Sequence, residues 1–133
     1  MEGNAFACAV NCMDGRTQEP VNAYLKKRFD VLYVDEITEP GPIKIIAEKS
    51  EPCLANIKLR CDISVLKHKA VGLAAVSHYD CAGNPVDKDA QLKQLEASVA
   101  QLREWYPDLP ILGLWVDENW TVSEVITDMP EQA

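Results

Sequence analysis

Two short stretches hold the side chains from which a reactive centre could be built: Cys12, Asp14 and Arg16 in one, His78 and Cys81 in the other. Two thiolates and one imidazole make a three-ligand set for zinc and leave a fourth position for water. The short step from His78 to Cys81 lets one tight turn aim both side chains at a single point. Asp14 and Arg16 alternate with Cys12, so an extended chain would start all three on the same face. A carboxylate beside a guanidinium stays ionised and can be held by a bidentate contact. From there it could accept a hydrogen bond from a zinc-bound hydroxide. Taken singly, Cys12 and Cys81 read as core cysteines, since free cysteine is among the most buried residue types. Their combination with His78 and the Asp14–Arg16 pair makes them read as ligands.

The elements that would position these residues follow from the apolar pattern. Short apolar runs alternate with amphipathic stretches, which predicts an α/β fold. The sheet is expected to be mainly parallel and four-stranded, flanked by helices, with an antiparallel edge strand at its C-terminal end. Ala5–Cys12 is apolar on both faces, as a central parallel strand should be. Val21, Leu25 and Phe29 make a helical stripe over 17–29, with Thr17 as cap and Pro20 in the first turn. Val31–Val34 is a second strand, Glu39–Pro42 a break, and Ile43–Lys49 a short helix. Pro52–Lys69 reads as a longer helix, with His68 as a cation at its end. Ala70–Val76 is the third strand and Ile111–Val116 the fourth. Between them Asp87 or Asp89 caps a helix over Ala90–Tyr106, striped by Leu92, Leu95, Val99, Leu102 and Trp105. Thr121–Ile126 supplies the edge strand. Both chemical stretches thus follow strand ends, where parallel sheets gather their ligands.

A Cys-x-Asp-x-Arg after strand one, and a His-x-x-Cys after a strand about sixty residues later, together resemble the β-class carbonic anhydrases. The likeness runs in outline from Ala5 to Ile126 and includes ILGLWVDENWTVSEV, which is similar to that family's closing strand pair. The resemblance implies zinc held by Cys12, His78 and Cys81, with Asp14 and Arg16 as a catalytic dyad beside it. It implies hydration of carbon dioxide to bicarbonate by hydroxide on zinc, whose bound water has a pKa near about 7. In some members the aspartate swings onto zinc instead, and Asp14 is the residue that would do so. The resemblance also implies a homodimer. Where the family carries an Arg-Asn-Ala-Gly-Asn-like segment after its second strand, this chain has Val34–Pro42, with carboxylates at Asp35, Glu36 and Glu39. These read either as a solvated loop or as groups beside the pocket, where they would repel bicarbonate. Two further readings stand beside the lyase: a non-enzymatic zinc domain of the same fold, and a hydrolase of carbonyl sulfide or carbon disulfide. A thiol-phosphatase or sulfurtransferase anion loop fits less well, because Asp14 would put negative charge inside its cradle.

Composition narrows the partners. Asp and Glu number 21 against 13 Lys and Arg, a net charge of -8, which disfavours nucleic acid and anionic lipid. No apolar run is long enough to span a bilayer, and the N-terminus lacks signal-peptide character. Five cysteines at irregular spacing suit a reducing, cytoplasmic compartment rather than a disulfide framework. The length suits a single zinc-binding domain over 1–133. Cys8, Cys53 and Cys61 are expected to pack, Trp115 to lie in the core and Trp120 at an interface. Asp80 is either a support for the ligands or a solvated turn residue.

Overall fold

The computed structural model describes residues 5–131. Strands β1 (Phe6–Cys12), β2 (Tyr33–Glu39), β3 (Leu73–His78), β4 (Ile111–Val116) and β5 (Val122–Asp128) form one sheet in the order β2-β1-β3-β4-β5. The first four are parallel and β5 runs antiparallel to β4, as the pattern predicts. The helices are α1 (Gln18–Phe29), α2 (Pro42–Glu48), α3 (Cys53–Asp62) and α4 (Lys88–Trp105).

Strand β1 supports two layers because its residues are buried on both faces. Cys8 and Val10 pack with Ile43 and Ile46 of α2, Ile57 of α3, and Leu95 and Leu102 of α4. On the other face, Ala9 packs with Val21 and Leu25 of α1. Burying Leu25, Ile57 or Leu95 fully is worth about 1.5–3 kcal/mol each. After β1 the chain crosses to β2 on one side and later to β3 on the other. The strand order therefore reverses between β1 and β3, and a crevice opens at their carboxyl ends. Cys12 and His78 are the last residues of those two strands.

Several boundaries differ from expectation for physical reasons. The second strand does not stop at Val34 but runs through the acidic stretch to Glu39, in register from Phe6↔Tyr33 to Cys12↔Glu39. An edge strand tolerates such charge because one side is unpaired, and its acids find partners. Asp35 accepts hydrogen bonds from Ser64 Oγ at 2.7 Å and meets His68 Nδ1 at 2.8 Å, and Glu39 pairs with Arg60. The solvated-loop reading of these residues is thereby overturned. His68 is tied to β2 rather than serving only as a helix-end cation, and its ring stacks on Phe6 at 4.3 Å. The long helix expected over Pro52–Lys69 is α-helical only to Asp62, and Ile63–Lys67 continues as a π turn. Cys53 is exposed instead of packed, whereas Cys8 and Cys61 are fully buried. Asp87, not Asp89, caps α4, its Oδ1 accepting from Ala90 N at 2.8 Å.

Glu36 lies opposite Ala9 and turns toward α1, where both carboxylate oxygens are buried without a hydrogen-bond partner. Burial pushes its pKa from 4.5 up to about 7, and the neighbouring Asn22 opposes this only in part. A carboxyl whose folded pKa is raised favours the fold fully below its unfolded value and loses that contribution as pH rises through the folded value. Stability should therefore fall between pH 4.5 and about 7. Glu36→Gln should remove this loss, gaining about 1–2 kcal/mol above neutrality after allowance for solvent screening. Urea unfolding at acid and alkaline pH checks it: equal pH profiles for wild type and variant would contradict the assignment.

Candidate metal centre

Cys12, His78 and Cys81 converge across the β1–β3 crevice. Their ligand atoms lie within 4.8 Å of one another, and all three residues are buried. Cys12 Sγ and Cys81 Sγ are 3.8 Å apart. A disulfide needs about 2.0 Å. A tetrahedral zinc with bonds of about 2.3 Å to sulfur separates its two sulfurs by about 3.8 Å, so the spacing fits a shared metal. His78 supplies a sharper indication. Its Nδ1 lies 2.7 Å from the Tyr79 carbonyl, which can only accept, so Nδ1 carries the proton. Nε2 is then the bare nitrogen, and it is buried with no hydrogen-bond partner. A backbone carbonyl on one ring nitrogen and a metal on the other is the usual environment of a ligating histidine. An orphaned buried acceptor would otherwise cost about 1–3 kcal/mol.

The sulfurs sit in a cradle of backbone amides. The Cys81 thiol, donating to Cys12, is the chief cause that brings the Cys12 pKa from 9.0 to about 4; burial opposes this. His78 and the amides of Gly41 and Asp14 lower it further. Cys81 is held well above its ordinary value, first by that same bond and then by burial, although the Gly83 and Asn84 amides oppose the rise. For His78, burial works against the charged ring, yet Cys12, the Tyr79 carbonyl and Asp14 outweigh it and raise the pKa. The lowered Cys12 value and the raised Cys81 and His78 values describe three donors sharing protons at close range, protons that a bound cation would displace.

Two glycines allow this cradle to close. Gly41 has φ +65°, and a Cβ there would stand 2.7 Å from Asn84 Cβ. A Cβ on Gly83 would meet Pro40 carbonyl carbon at 2.7 Å and its oxygen at 2.8 Å. The turn after β2 and the turn after Cys81 therefore touch backbone to backbone. Gly83→Ala should force them apart, lowering stability by about 1–3 kcal/mol and weakening zinc binding. Denaturant unfolding with a competitive zinc titration reads both quantities; an unchanged variant would show that the contact is dispensable.

The Asp14–Arg16 pair forms, but not by the expected route. The chain leaves extended geometry after Cys12 and enters a 3-10 turn, Gly15–Thr17, capped by Asp14. Within it Arg16 Nε donates to Asp14 Oδ1 at 3.0 Å and Nη2 to Oδ2 at 2.7 Å, while Arg16 N also donates to Oδ1 at 2.9 Å. The Arg16 contact is the largest cause holding Asp14 at about 2, so the carboxylate stays ionised. Thr17 is not a side-chain cap: its hydroxyl donates to the Asp14 carbonyl at 2.9 Å. Arg16 also reaches the other motif, with Nη1 3.4 Å from Asp80 Oδ2 and Nη2 3.3 Å from the Asp80 carbonyl. Asp80 thus touches the dyad from a turn where its own side chain stays 69% exposed. All five residues singled out from the sequence meet at one crevice.

A family description, "Putative carbonic anhydrase", matches residues 2–126. The chain belongs to that family. In three dimensions it is similar to one of two tetrameric β-carbonic anhydrases from the ascomycete Sordaria macrospora, with a TM-score of 0.60 at 11% identity, covering 94% of this chain and 83% of that one. It is also similar to the β-carbonic anhydrase CafA of Aspergillus fumigatus, with a TM-score of 0.53 at 12% identity, covering 96% and 78%. At these identities the likeness concerns the fold. A sequence search of curated proteins found no match.

Within this family member, several supporting residues escaped the sequence reading. Gln91 of α4 clasps the end of β3, with Nε2 donating to the His78 carbonyl at 2.8 Å and Oε1 accepting from His78 N at 3.2 Å. It lies one turn before Leu95 on the buried side of α4, and a polar residue on that stripe was the available signal. Gln18 Nε2 bonds the Cys12 and Asp14 carbonyls at 2.7 and 3.0 Å, and nothing in its spacing announces this. Trp120, between β4 and β5, places its indole over Arg16, 4.4 Å from the guanidinium carbon, and 6.5 Å from the His78 ring. Its φ of 59° is left-handed, which costs a non-glycine residue about 1–3 kcal/mol. Trp115 is buried as expected.

Proposed function

We propose that this chain is a zinc-dependent carbonic anhydrase that reversibly hydrates carbon dioxide to bicarbonate. The observation that carries the reading is the bare, buried His78 Nε2 facing two sulfurs beside an ionised carboxylate clamped by arginine. Cys12, His78 and Cys81 would hold the zinc, which when bound makes water nucleophilic near neutral pH.

The chain's own residues would do the following. Asp14, ionised at neutral pH, can only accept a hydrogen bond. Arg16 uses three of its lone-pair sites, leaving Oδ2 room for one more donor. A water donating there has its remaining lone pair turned away from Asp14, toward an incoming carbon. Asp14 has both oxygens on Arg16, which supports a site whose fourth position is left for water. Beside the turn between the ligands lies a cleft of about 510 Å³ lined by Tyr79, Asp80, Asp87, Lys88, Asp117 and Glu118 among others. It carries four carboxylates and one lysine, and none of Cys12, Asp14, Arg16, His78 or Cys81 is in its lining.

The test is metal analysis with stopped-flow hydration of carbon dioxide. Stoichiometric zinc with turnover supports the reading; stoichiometric zinc without turnover across neutral and alkaline pH would overturn it. That second result would favour a non-enzymatic zinc domain, for which Glu39 opposite Cys12, ion-paired with Arg60, is the relevant structural feature. Carbonyl sulfide and carbon disulfide belong in the same assay as competing linear substrates.

Residues 1–133 are read as one such domain, working as a cytoplasmic homodimer. Support comes from free thiols at all five cysteines and from an exposed stripe of Leu59, Ile63 and Leu66. The Sordaria enzymes are tetrameric, and symmetric assemblies of this kind are commonly built from dimers. Among the described residues, no helix is long and apolar enough to cross a membrane. Light scattering at micromolar concentration should give twice the chain mass; a monomer would contradict the dimer.

A further inference from the structure

Among the described residues, five non-glycine residues have left-handed backbone: Asp30, Lys49, Lys69, Asp80 and Trp120. The first two cap the C-termini of α1 and α2, and Lys69 follows the π turn that ends at Lys67. Such positions routinely end helices. Asp80 and Trp120 have no helix end to explain them. They sit in different strand-end loops, and both grip Arg16, one through a carboxylate and carbonyl and the other through the face of an indole.

We propose that Trp120 is a positioning residue that holds Arg16 in its bidentate contact with Asp14. A guanidinium that is half exposed can exchange its carboxylate contact for water. The indole covers one face of Arg16, and the quadrupole of the ring attracts its charge. The loop is built to present that ring: Asp117 Oδ1 accepts from Asn119 N at 2.9 Å and Thr121 N at 3.0 Å, and Trp120 N donates to Asp117 O at 2.9 Å. A glycine would occupy this backbone position without strain. A large aromatic held there is accounted for by what its side chain covers. The effect on turnover rests on the carbonic-anhydrase reading above; the hold on Arg16 does not.

The experiment follows the Arg16 Nε–H signal by NMR in wild type, Trp120→Gly and Trp120→Phe. It is run on metal-free and zinc-loaded protein, with hydration kinetics on the latter. A surface cation–π contact corresponds to a shift of about two- to fivefold in the clamped population. Trp120→Gly should therefore speed Nε–H exchange by about two- to fivefold and abolish the ring-current shift of Arg16, and Trp120→Phe should restore most of both. In the zinc-loaded enzyme kcat should fall by a similar factor with KM unchanged. Arg16 signals identical in wild type and Trp120→Gly would overturn the proposal, whatever happens to turnover. Signals that move while zinc-loaded wild type fails to hydrate carbon dioxide would uphold the positioning role and sink only the enzymatic reading.

Discussion

Cys81→Ser lowers zinc affinity by about two to four orders of magnitude. Zinc sites of this kind release about 10–16 kcal/mol on binding, and one ligand in three carries about 3–5 kcal/mol of it, at ~1.4 kcal/mol per decade. The serine hydroxyl is a poor zinc ligand, because soft thiolate is what the metal selects at this position. The variant should still fold, since the β1–β3 pairing and the α4 packing do not involve the Cys81 sulfur. Competition with a chromogenic chelator measures the affinity. His78→Ala should behave alike, with a further loss because Nδ1 no longer anchors to the Tyr79 carbonyl. Cys53→Ser is the internal control: Cys53 is exposed and outside the trio, so zinc affinity should not change.

On the carbonic-anhydrase reading, Asp14→Ala should leave zinc in place and lower hydration kcat by about 10- to 100-fold, the usual cost of removing a group that orients a metal's reacting partner. The distinction from Cys81→Ser lies in the metal content, which stays stoichiometric. Asp14→Asn is the more telling change. Its amide keeps the shape and one acceptor but presents N–H where a water should donate, and it loses the charge that Arg16 holds at about 2. It should be no better than Ala. An Asp14→Asn enzyme with near-wild-type kcat would show that the carboxylate does not orient the nucleophile. Because Asp14 is ionised throughout the neutral range, its own titration should not shape the pH–rate profile there.

The parts of this molecule that were legible beforehand share a physical cause. Ala5–Cys12 and Ile111–Val116 are apolar on both faces, a pattern that only buried central strands produce, and both were placed within a residue. Cys12, His78 and Cys81 were legible because few other arrangements put two thiols and an imidazole at strand ends. Strand β2 was half missed, since an edge strand can carry Asp35, Glu36 and Glu39 once Ser64, His68 and Arg60 sit opposite two of them. Those partners lie 21 to 33 residues away in sequence, and no local pattern announces them. The Asp14–Arg16 contact was anticipated, but through an extended chain; a 3-10 turn reaches the same pairing because Asp14 caps it. The place of Trp120 above Arg16 was not legible, because its left-handed backbone and that contact are tertiary facts.

The most direct test of the metal centre is zinc-edge X-ray absorption on protein loaded with one equivalent of zinc. Cys12, Cys81 and His78 predict two sulfurs at about 2.3 Å and one nitrogen at about 2.0–2.1 Å, with a single light oxygen completing the shell. Cys81→Ser should convert this to one sulfur. A first shell of nitrogen and oxygen alone, or one unchanged by Cys81→Ser, would place the metal elsewhere and contradict the site.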